Sequence, residues 1–359
     1  MNRKTIIALI VLGILLSGLM SLSGCGKKGD ESSDANVSVL PGEGTILMGV
    51  ELNDFLSDAD KAKSLGVNIV RVPLRWGQVE AEKGVYDFSK YDAIVDKAQA
   101  LDMKIYFTAK ALSSWGTVAP PSSNGTYLAS SMPVNEEDWT NFLAEFAKRY
   151  RDRNIVAGYE IENEVNSPAF WKGTIQDYAT HLKASYIAIK SADPDALVLA
   201  SSLACGITSD ASGKDSSAKV QKFESDLGTI LDTKTFDVVS VHDYYFPDHE
   251  VNGITFQTYL DTIKNAISSR GLTSDIWITE AGYVSVSSKV GSRTDPGSEE
   301  NQAKWFKAAH AYAQSQGVKV MSWITLNDRE EPYFGTMGML NSDGSRRLVA
   351  DVFESLAVK

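Results

Sequence analysis

The chain has 359 residues, of which 46 are acidic and 35 are basic, so its formal net charge at pH 7 is −11. An acidic surface without a basic cluster repels polyanions, which disfavours nucleic acid as a partner and favours neutral or cationic ligands. The length allows one large domain, and no internal repeat of fixed period divides the sequence.

The first 24 residues have the pattern of an export signal. Arg3 and Lys4 precede an apolar run from residue 6 to residue 20, and small residues lead to Cys25. This order is typical of secretory signal peptides. The end of the segment, Leu-Ser-Gly-Cys25, resembles a bacterial lipoprotein signal, which implies cleavage before Cys25 and lipid on its sulfur. We therefore expect an exported protein, anchored by lipid to the outer face of a membrane of the bacterial cell envelope. A membrane-spanning anchor is the alternative, but the run is short of the ~20 residues that a span needs.

Residues 25–44 are rich in Gly, Ser, Asp and Lys and lack apolar periodicity, which predicts a flexible tether. Residues 45–359 are predicted to form a single domain. Cys25 and Cys205 are the two cysteines of the chain, so a lipidated Cys25 excludes an intrachain disulfide. Cys205 is expected to be a small buried hydrophobic residue.

Eight short apolar runs alternate with amphipathic segments along this domain. Most are separated by roughly 35–50 residues, as expected for successive strand–helix units with some enlarged loops. A doubly wound open sheet is the competing fold, but the turn after Gly49 lacks the G-x-G-x-x-G pattern of that fold. The sequence therefore predicts an α/β fold of the (β/α)8 TIM barrel type. The predicted strands are Ile46–Val50, Asn68–Pro73, Lys104–Thr108, Val156–Glu162, Leu197–Ser201, Asp237–Val241, Ile276–Thr279 and Lys319–Ile324.

The clearest helical segment precedes the fourth predicted strand. Trp139, Phe142 and Tyr150 share one face at helical spacing, and Asn135 followed by Asp138 has the pattern of a helix start. Before the third strand, Tyr91 begins a second segment with the same apolar spacing. Both segments are predicted to cover the barrel from outside.

Glutamates follow two of the predicted strands. Glu164 comes directly after the fourth strand and Glu280 directly after the seventh. In a parallel barrel the carboxyl ends of all strands meet around one mouth, where active sites lie. Two carboxylates that converge there are the minimum equipment for cleaving a glycosidic bond.

The sequence around these glutamates resembles a known group. Asn163-Glu164 and Thr279-Glu280-Ala-Gly are similar to the signature of clan A glycoside hydrolases, the retaining (β/α)8 group that includes cellulases and β-xylosidases. The segments 76–88 and 334–344 also resemble the family pattern, so the similarity covers nearly the whole domain. Within the clan, the run 159–166 followed by Phe170-Trp171 is similar to family 39 and its exopolysaccharide-cleaving relatives, with family 5 close behind. The further positions that agree are Arg71, His242-Asp-Tyr244 and Trp323.

The resemblance implies a retaining mechanism. Glu280 would attack the anomeric carbon, and Glu164 would first protonate the leaving oxygen and then deprotonate the incoming water. Arg71 and the hydroxyl of Tyr244 would stabilise the ionised Glu280. The negative charge of Glu280 would in turn keep the proton on Glu164 until the glycosyl-enzyme forms. Alternatively, Arg71 could pair with a carboxylate inside the barrel, and Tyr244 could be an aromatic residue of a loop.

The resemblance also implies roles for substrate-binding residues. Asn163 would hold the sugar 2-hydroxyl, and His242 would complete a polar wall. Trp323 would offer an aromatic floor to a sugar ring, or it could simply pack in the core. Trp115, after the third strand, could stack on a sugar in a neighbouring subsite or pack structurally. His242, Asp243 and His249 lack the regular spacing of a metal site, so we expect no metal and no cofactor.

The fourth strand departs from the family pattern, which is Trp-Asn-Glu-Pro. Here Glu162 precedes Asn163, and Val165 follows Glu164. With period-two alternation, Glu160, Glu162 and Glu164 would share one face unless a bulge intervenes. Glu162 therefore remains a smaller possibility as the acid.

We expect a retaining β-glycoside hydrolase that acts by double displacement on a β-linked polysaccharide or oligosaccharide at the cell surface or outside the cell. The loops at residues 113–137 and 284–300 should set substrate choice, because loops on this face of a barrel build the cleft. Two alternatives remain open from the residues. The same glutamates would serve a transglycosylase, and a lipoprotein could bind glycan without cleaving it.

Overall fold

The computed structural model describes residues 42, 44–123, 128–204, 216–244, 255–290, 293–295, 297–330 and 335–357. They all belong to one compact unit that spans residues 38–359. The expected signal peptide, the lipidated Cys25, nearly all of the tether and the buried Cys205 lie outside the described residues. These expectations stay predictions.

Eight parallel strands form a closed barrel, which confirms the predicted fold and excludes the open sheet. Each strand pairs with its neighbours in chain order, and the first pairs with the last. Every predicted strand is found, with its ends shifted by no more than two residues. The strands are β1 Leu47–Glu51, β2 Ile69–Arg75, β3 Lys104–Lys110, β4 Val156–Ile161, β5 Leu197–Ala200, β6 Val238–Asp243, β7 Asp275–Ala281 and β8 Val320–Trp323.

Helices cover the outside of the barrel. Both predicted helical segments are present, and the side chain of Asn135 accepts a hydrogen bond from Glu137 N as an N-cap. None of the described helices is both long and apolar enough to cross a membrane. The helices are α1 Phe55–Ser64, α2 Trp76–Val79, α3 Ser89–Ala100, α4 Glu136–Tyr150, α5 Ile175–Ala192, α6 Ser216–Asp232, α7 Phe256–Ser268, α8 Glu299–Ser315 and α9 Leu348–Leu356, with a 3₁₀ turn at Arg151–Arg153.

Two of the connections at the carboxyl ends of the strands contain short antiparallel hairpins. After β3, Ser122–Ser123 pairs with Leu128–Ala129, and after β7, Ser288–Val290 pairs with Arg293–Asp295. These are the two connections that the sequence indicated as cleft-building loops. They belong to the same face of the barrel as the strand ends that carry the glutamates.

The barrel interior has two layers of different chemistry. In the lower layer the Tyr106 ring packs edge-on against Trp277, with centroids 5.3 Å apart. The Tyr106 hydroxyl lies 2.9 Å from Ser322 Oγ, and Gly49 leaves no room beside that oxygen for even a Cβ atom. Charged residues fill the layer above. The apolar residues of the lower layer are Ile69, Tyr106, Ala157, Leu199, Val238, Trp277 and Val320.

Candidate active site

Arg71 on β2 lies at the centre of the upper layer. Its side chain is almost fully buried, and Nη1 donates to Glu280 Oε1 at 2.5 Å and to Glu51 Oε2 at 2.6 Å. Nη2 donates to Asn163 Oδ1 at 2.6 Å, and Nε donates to Glu160 Oε2 at 2.8 Å. Burial lowers the pKa of Arg71, but the three carboxylates raise it further, to well above the usual value. The guanidinium therefore stays charged and ties β1, β4 and β7 together.

Both oxygens of Glu280 are held by donors. Oε1 accepts from Arg71 and Oε2 accepts from the hydroxyl of Tyr244 at 2.7 Å. Burial and then the charge of Glu280 raise the pKa of Tyr244 well above 10. The phenol therefore keeps its proton and acts as a donor. Glu280 is 7% exposed, so its carboxylate reaches the cleft from a largely dry position.

A bulge in β7 turns Glu280 into the barrel. Ile278 pairs with Val241 of β6, yet the next pair along these strands joins Glu280 to His242, so Thr279 is an extra residue. Two adjacent residues of β7 thereby face the interior, where regular alternation would allow one. The hydroxyl of Thr279 donates to a buried carboxylate below the site, and Glu280 faces the mouth.

The end of β4 has an irregular backbone. Glu162 and Glu164 both have positive φ, +65° and +43°, which is uncommon for residues other than glycine. Glu162 turns away from the mouth, since its carboxylate accepts from Ala111 N at 2.6 Å and from Ser130 Oγ. It is completely buried there. The expectation that Glu162 could serve as the acid is therefore wrong, because the irregular backbone directs its side chain away from the mouth.

Glu162 is part of a buried ionic cluster beneath α4 and α5. His181 Nε2 lies 3.7 Å from Glu162 Oε1, and its Nδ1 lies 3.2 Å from Glu136 Oε1. The imidazole stacks on Trp139, with ring centroids 4.9 Å apart. Burial lowers the pKa of His181, but the interactions with the two glutamates raise it to about 9. The cluster fixes the end of β4 to the helices behind it.

His242 joins the two glutamates at the mouth. Its Nδ1 lies 2.8 Å from Glu164 Oε1, and its Nε2 lies 3.3 Å from Glu280 Oε1. Burial lowers the pKa of His242, but the charges of Glu280 and Glu164 outweigh it, so the pKa is raised from 6.5. One oxygen of each glutamate and a ring nitrogen lie within 4.8 Å of one another.

This trio also has the composition of a metal site, since two carboxylates and an imidazole can coordinate a divalent cation. The surrounding charge opposes that use, because the permanently charged Arg71 already lies 2.5 Å from Glu280 Oε1. Arg71 occupies the same oxygen that a cation would need. The positive charge of Arg71 beside Glu164, His242 and Glu280 therefore favours proton exchange between Glu164 and a ligand over binding of a divalent cation.

The structure corrects the role expected for Trp323. The indole has no exposed surface, Nε1 donates to Met337 O at 2.6 Å, and the ring lies 5.1 Å from that of Phe306 on α8. Its side chain points outwards, into the layer between barrel and helices. Trp323 therefore offers no aromatic floor to a sugar in this structure, and its role is to pack β8 against α8.

The other expected binding residues lie at the mouth. Asn163 is 7% exposed, and its Oδ1 is taken by Arg71, so its Nδ2 is the group left for a ligand. Trp115 is half-buried; its Nε1 donates to Glu80 O at 2.8 Å and its ring packs edge-on against Trp76. Of the two roles expected for Trp115, the structure shows the packing against Trp76. Stacking on a sugar stays a prediction.

Two carboxylates of the site were not predicted as site residues from the sequence. Glu51, the last residue of β1, and Glu160, two residues before Glu162, both bind Arg71. Thr108 Oγ1 also donates to Glu160, at 2.9 Å. Both glutamates occupy alternate positions of a strand that face the barrel interior, and both lie near the carboxyl end of that strand. This pattern in the sequence could have indicated them as site residues.

The fold and the paired carboxylates define the class of protein, which is a glycosidase built on a (β/α)8 barrel. The family model for cellulase (glycosyl hydrolase family 5) matches residues 42–328, and the chain therefore belongs to glycosyl hydrolase family 5.

Solved structures with the same fold include three enzymes of low sequence identity. A family 39 glycoside hydrolase from the gut symbiont Bacteroides cellulosilyticus WH2 is 20% identical, with a TM-score of 0.62 over 89% of this chain and 65% of that one. A monomeric beta-xylosidase from Caulobacter crescentus CB15 is 16% identical, with a TM-score of 0.64 over 88% and 69%. The GH39 enzyme from Xanthomonas axonopodis pv. citri is 18% identical, with a TM-score of 0.66 over 88% and 67%. This chain thus spans about two thirds of the length of these structures.

Proposed function

We propose that the protein is a retaining β-glycosidase that cleaves a β-linked polysaccharide by double displacement through a glycosyl-enzyme. The observation that carries the proposal is the pair of donors on Glu280, with Glu164 within 4.8 Å at the opposite side of the mouth. Retaining enzymes place their carboxyl groups about 5–5.5 Å apart, whereas inverting enzymes need roughly 6.5–9.5 Å to admit a water molecule. The short separation supports the retaining reaction.

In the first step, a carboxylate oxygen of Glu280 attacks the anomeric carbon and forms an ester bond with it. The bond from that carbon to the leaving oxygen breaks, and Glu164 gives its proton to this oxygen. Arg71 and Tyr244 orient Glu280 for attack. We propose that Asn163 Nδ2 donates to a hydroxyl of the sugar, which would help to fix its position; the support is that Asn163 Oδ1 is already bound to Arg71.

In the second step, Glu164 takes a proton from water, and the water oxygen replaces Glu280 at the anomeric carbon. The change of role follows from charge, because esterified Glu280 no longer repels an ionised Glu164. His242 contacts both carboxylates and so responds to the charge of each. We propose that His242 holds Glu164 in place through Nδ1 in both steps.

The first experiment compares Glu280→Gln with the wild type for release of reducing ends from β-glucans, xylans, mannans, galactans and amino-sugar exopolysaccharides. Loss of the nucleophile should lower turnover by several orders of magnitude with the fold intact. The matched control is Glu300→Gln, an exposed position on α8. Unchanged activity of Glu280→Gln would defeat the assignment. Glycan binding without release by the wild type would favour a non-catalytic lectin-like role.

The acid role of Glu164 is tested with leaving groups of different basicity. Glu164→Gln should lose far more activity on substrates with poor leaving groups than on activated aryl glycosides, because the latter leave without a proton. Equal losses on both kinds of substrate would contradict an acid role. Added sugar acceptors in the same assay reveal transglycosylation as coupled products.

We also propose that the protein is exported and held at the cell envelope by lipid on Cys25. The support is the sequence of residues 1–25 alone. Cys25→Ala should move the protein from the detergent-extracted membrane fraction to the soluble exported fraction. Its mature form should also lose incorporation of radiolabelled fatty acid. Labelled protein in the Cys25→Ala strain would contradict the proposal.

A further inference from the structure

Two basic residues lie next to each other above the catalytic layer. Strands β2 and β3 stay paired beyond Arg71 and Thr108 up to the pair Arg75 and Lys110. Residues two or four positions apart on a strand share a face. Arg75 is four residues beyond inward-facing Arg71, and Lys110 is two residues beyond inward-facing Thr108. The register and the alternation therefore place both basic residues at inward positions on the rim of the mouth.

Neither residue of this pair forms a salt bridge within the described part of the chain, although Glu162 and Glu51 lie near enough to Lys110 to raise its pKa. Among these residues the hydrogen bond of Arg75 to the Tyr91 hydroxyl is made by its backbone N–H, and its guanidinium forms no hydrogen bond or ion pair. Lys110 Nζ has no carboxylate within salt-bridge distance there. Lys110 reaches Leu128 O at a long 3.5 Å and lies over the ring of Phe170, 5.5 Å from its centroid. Burial lowers the pKa of Lys110, and the charges of Arg71 and Arg75 lower it further, while Glu162 and Glu51 offset only part of this.

Some basic side chains on the outside of the barrel form salt bridges. Lys83 binds Asp138 at 2.7 Å, and Arg149 binds Asp92 at 2.6 Å. Arg75 and Lys110 repel each other, as the lowering effect of Arg75 on the pKa of Lys110 shows, and an anion placed between them relieves that repulsion. In a chain with a net charge of −11, two adjacent basic residues without a salt bridge form a local positive region at the mouth of the active site.

We propose that Arg75 and Lys110 form a subsite that recognises an anionic sugar unit of the polysaccharide, next to the sugar that is cleaved. Guanidinium matches a carboxylate or sulfate through two parallel hydrogen bonds, and the flexible ammonium adds a second charge. Phe170, over which Lys110 lies, supplies an apolar surface beside the charges. The inference rests on the proposed function for its setting, since it names the class of sugar that the same cleft accepts.

Binding tests the subsite without catalysis. Ligand-observed NMR on Glu280→Gln protein compares methyl β-glucuronide, methyl β-glucoside 6-sulfate and neutral methyl β-glucoside. We expect the anionic ligands to bind at least about tenfold more tightly than the neutral one, a difference of ~1.4 kcal/mol. The double variant Arg75→Gln, Lys110→Gln should lose this preference. The matched charge control is Lys61→Gln on α1, an exposed lysine paired with Asp58.

The three ligands distinguish a carboxylate subsite from a sulfate subsite and from a cleft without preference for anions. Preference for the glucuronide identifies a carboxylate, and preference for the sulfate ester identifies a sulfate, and both support an anionic subsite. Equal binding of all three ligands, no binding of either anion, or an undiminished preference in the double variant would overturn the inference. Because this assay needs no turnover, it can fail while hydrolysis of neutral glycans succeeds, and the reverse.

Kinetics give a second test on the polymer. An acidic β-linked polysaccharide is compared with its carboxyl-reduced form, which has the same linkages and no charge. The kcat/KM for the acidic form, divided by the kcat/KM for the reduced form, should exceed about ten. This ratio should fall with added salt, because the rim is partly exposed to solvent and its charges are screened. The Arg75→Gln, Lys110→Gln variant should bring this ratio close to one. A ratio that is equal in wild type and variant would contradict the inference.

Discussion

Raising the pH through 9 should remove a proton from His181, behind the active site. The ring is fully buried between Glu136 and Glu162, at 3.2 Å and 3.7 Å. Burial lowers its pKa, but the two glutamates raise it from 6.5 to about 9. At neutral pH the ring is therefore a cation that neutralises the buried charge of Glu162.

The sign and size of the effect on stability follow from this pKa. A group with a raised folded-state pKa adds stability that is fully present below its unfolded pKa, here about 6.5, and is lost as the pH rises through its folded pKa. At 1.36 kcal/mol per pKa unit, the rise to about 9 corresponds to on the order of 3 kcal/mol. The free energy of unfolding should fall by about this amount between roughly pH 6 and pH 10.

Histidine NMR provides the direct assay. The chain has four histidines, so the His181 resonance can be assigned by its loss in His181→Gln. Its titration midpoint should lie near pH 9 and move down in Glu136→Gln, which removes one partner at a partly exposed position. Urea unfolding at each pH then compares wild type with His181→Gln, since His242 titrates in the same direction. A midpoint at or below pH 7, or an equal pH dependence in both proteins, would refute the reasoning.

Three further changes test the site and the barrel. Tyr244→Phe removes the donor to Glu280 Oε2 and should lower kcat/KM by roughly 10- to 100-fold, as expected for a hydrogen bond to a charged group; a fall of less than twofold would contradict the orienting role. Gly49→Ala forces a methyl group against β8 inside the barrel and should cost about 1–3 kcal/mol in thermal unfolding, whereas Gly42→Ala, in open space, should leave Tm unchanged. Trp323→Phe should lower Tm while KM stays at the wild-type value; a raised KM with an unchanged Tm would restore its expected place in the cleft.

The barrel could be predicted because its strands carry a local signal. Each strand is a short apolar run buried on both faces, and the lengths of the intervening segments leave room for one helix apiece. The positions of Glu164 and Glu280 followed from the same reasoning, since both come directly after such runs. Strand ends shifted by a residue or two because backbone pairing continues past the last apolar side chain, as at Arg75.

The irregular backbone at the end of β4 could not be predicted from the alternation of residues along the strand. Alternation placed Glu160, Glu162 and Glu164 on one face, but the positive φ at Glu162 reverses the direction of its side chain. The stabilising partners of that reversal, among them Ser130 and His181, come from distant parts of the chain. The same limit applies to Trp323, since a tryptophan at a strand end can face the cleft or the helices, and only the packing around it decides.

The apolar lower layer of the barrel determines how water and sugars enter and leave the active site. Tyr106, Trp277 and their buried apolar neighbours fill the barrel below the charged layer, so we expect water to reach Glu280 through the mouth. In the proposed reaction the departing sugar and the incoming water must share the mouth. Water then enters by the opening through which the leaving sugar departs. A polymer that dissociates slowly would keep water out and remain available as an acceptor itself, so the rate of product departure would decide between hydrolysis and rebuilding of the chain.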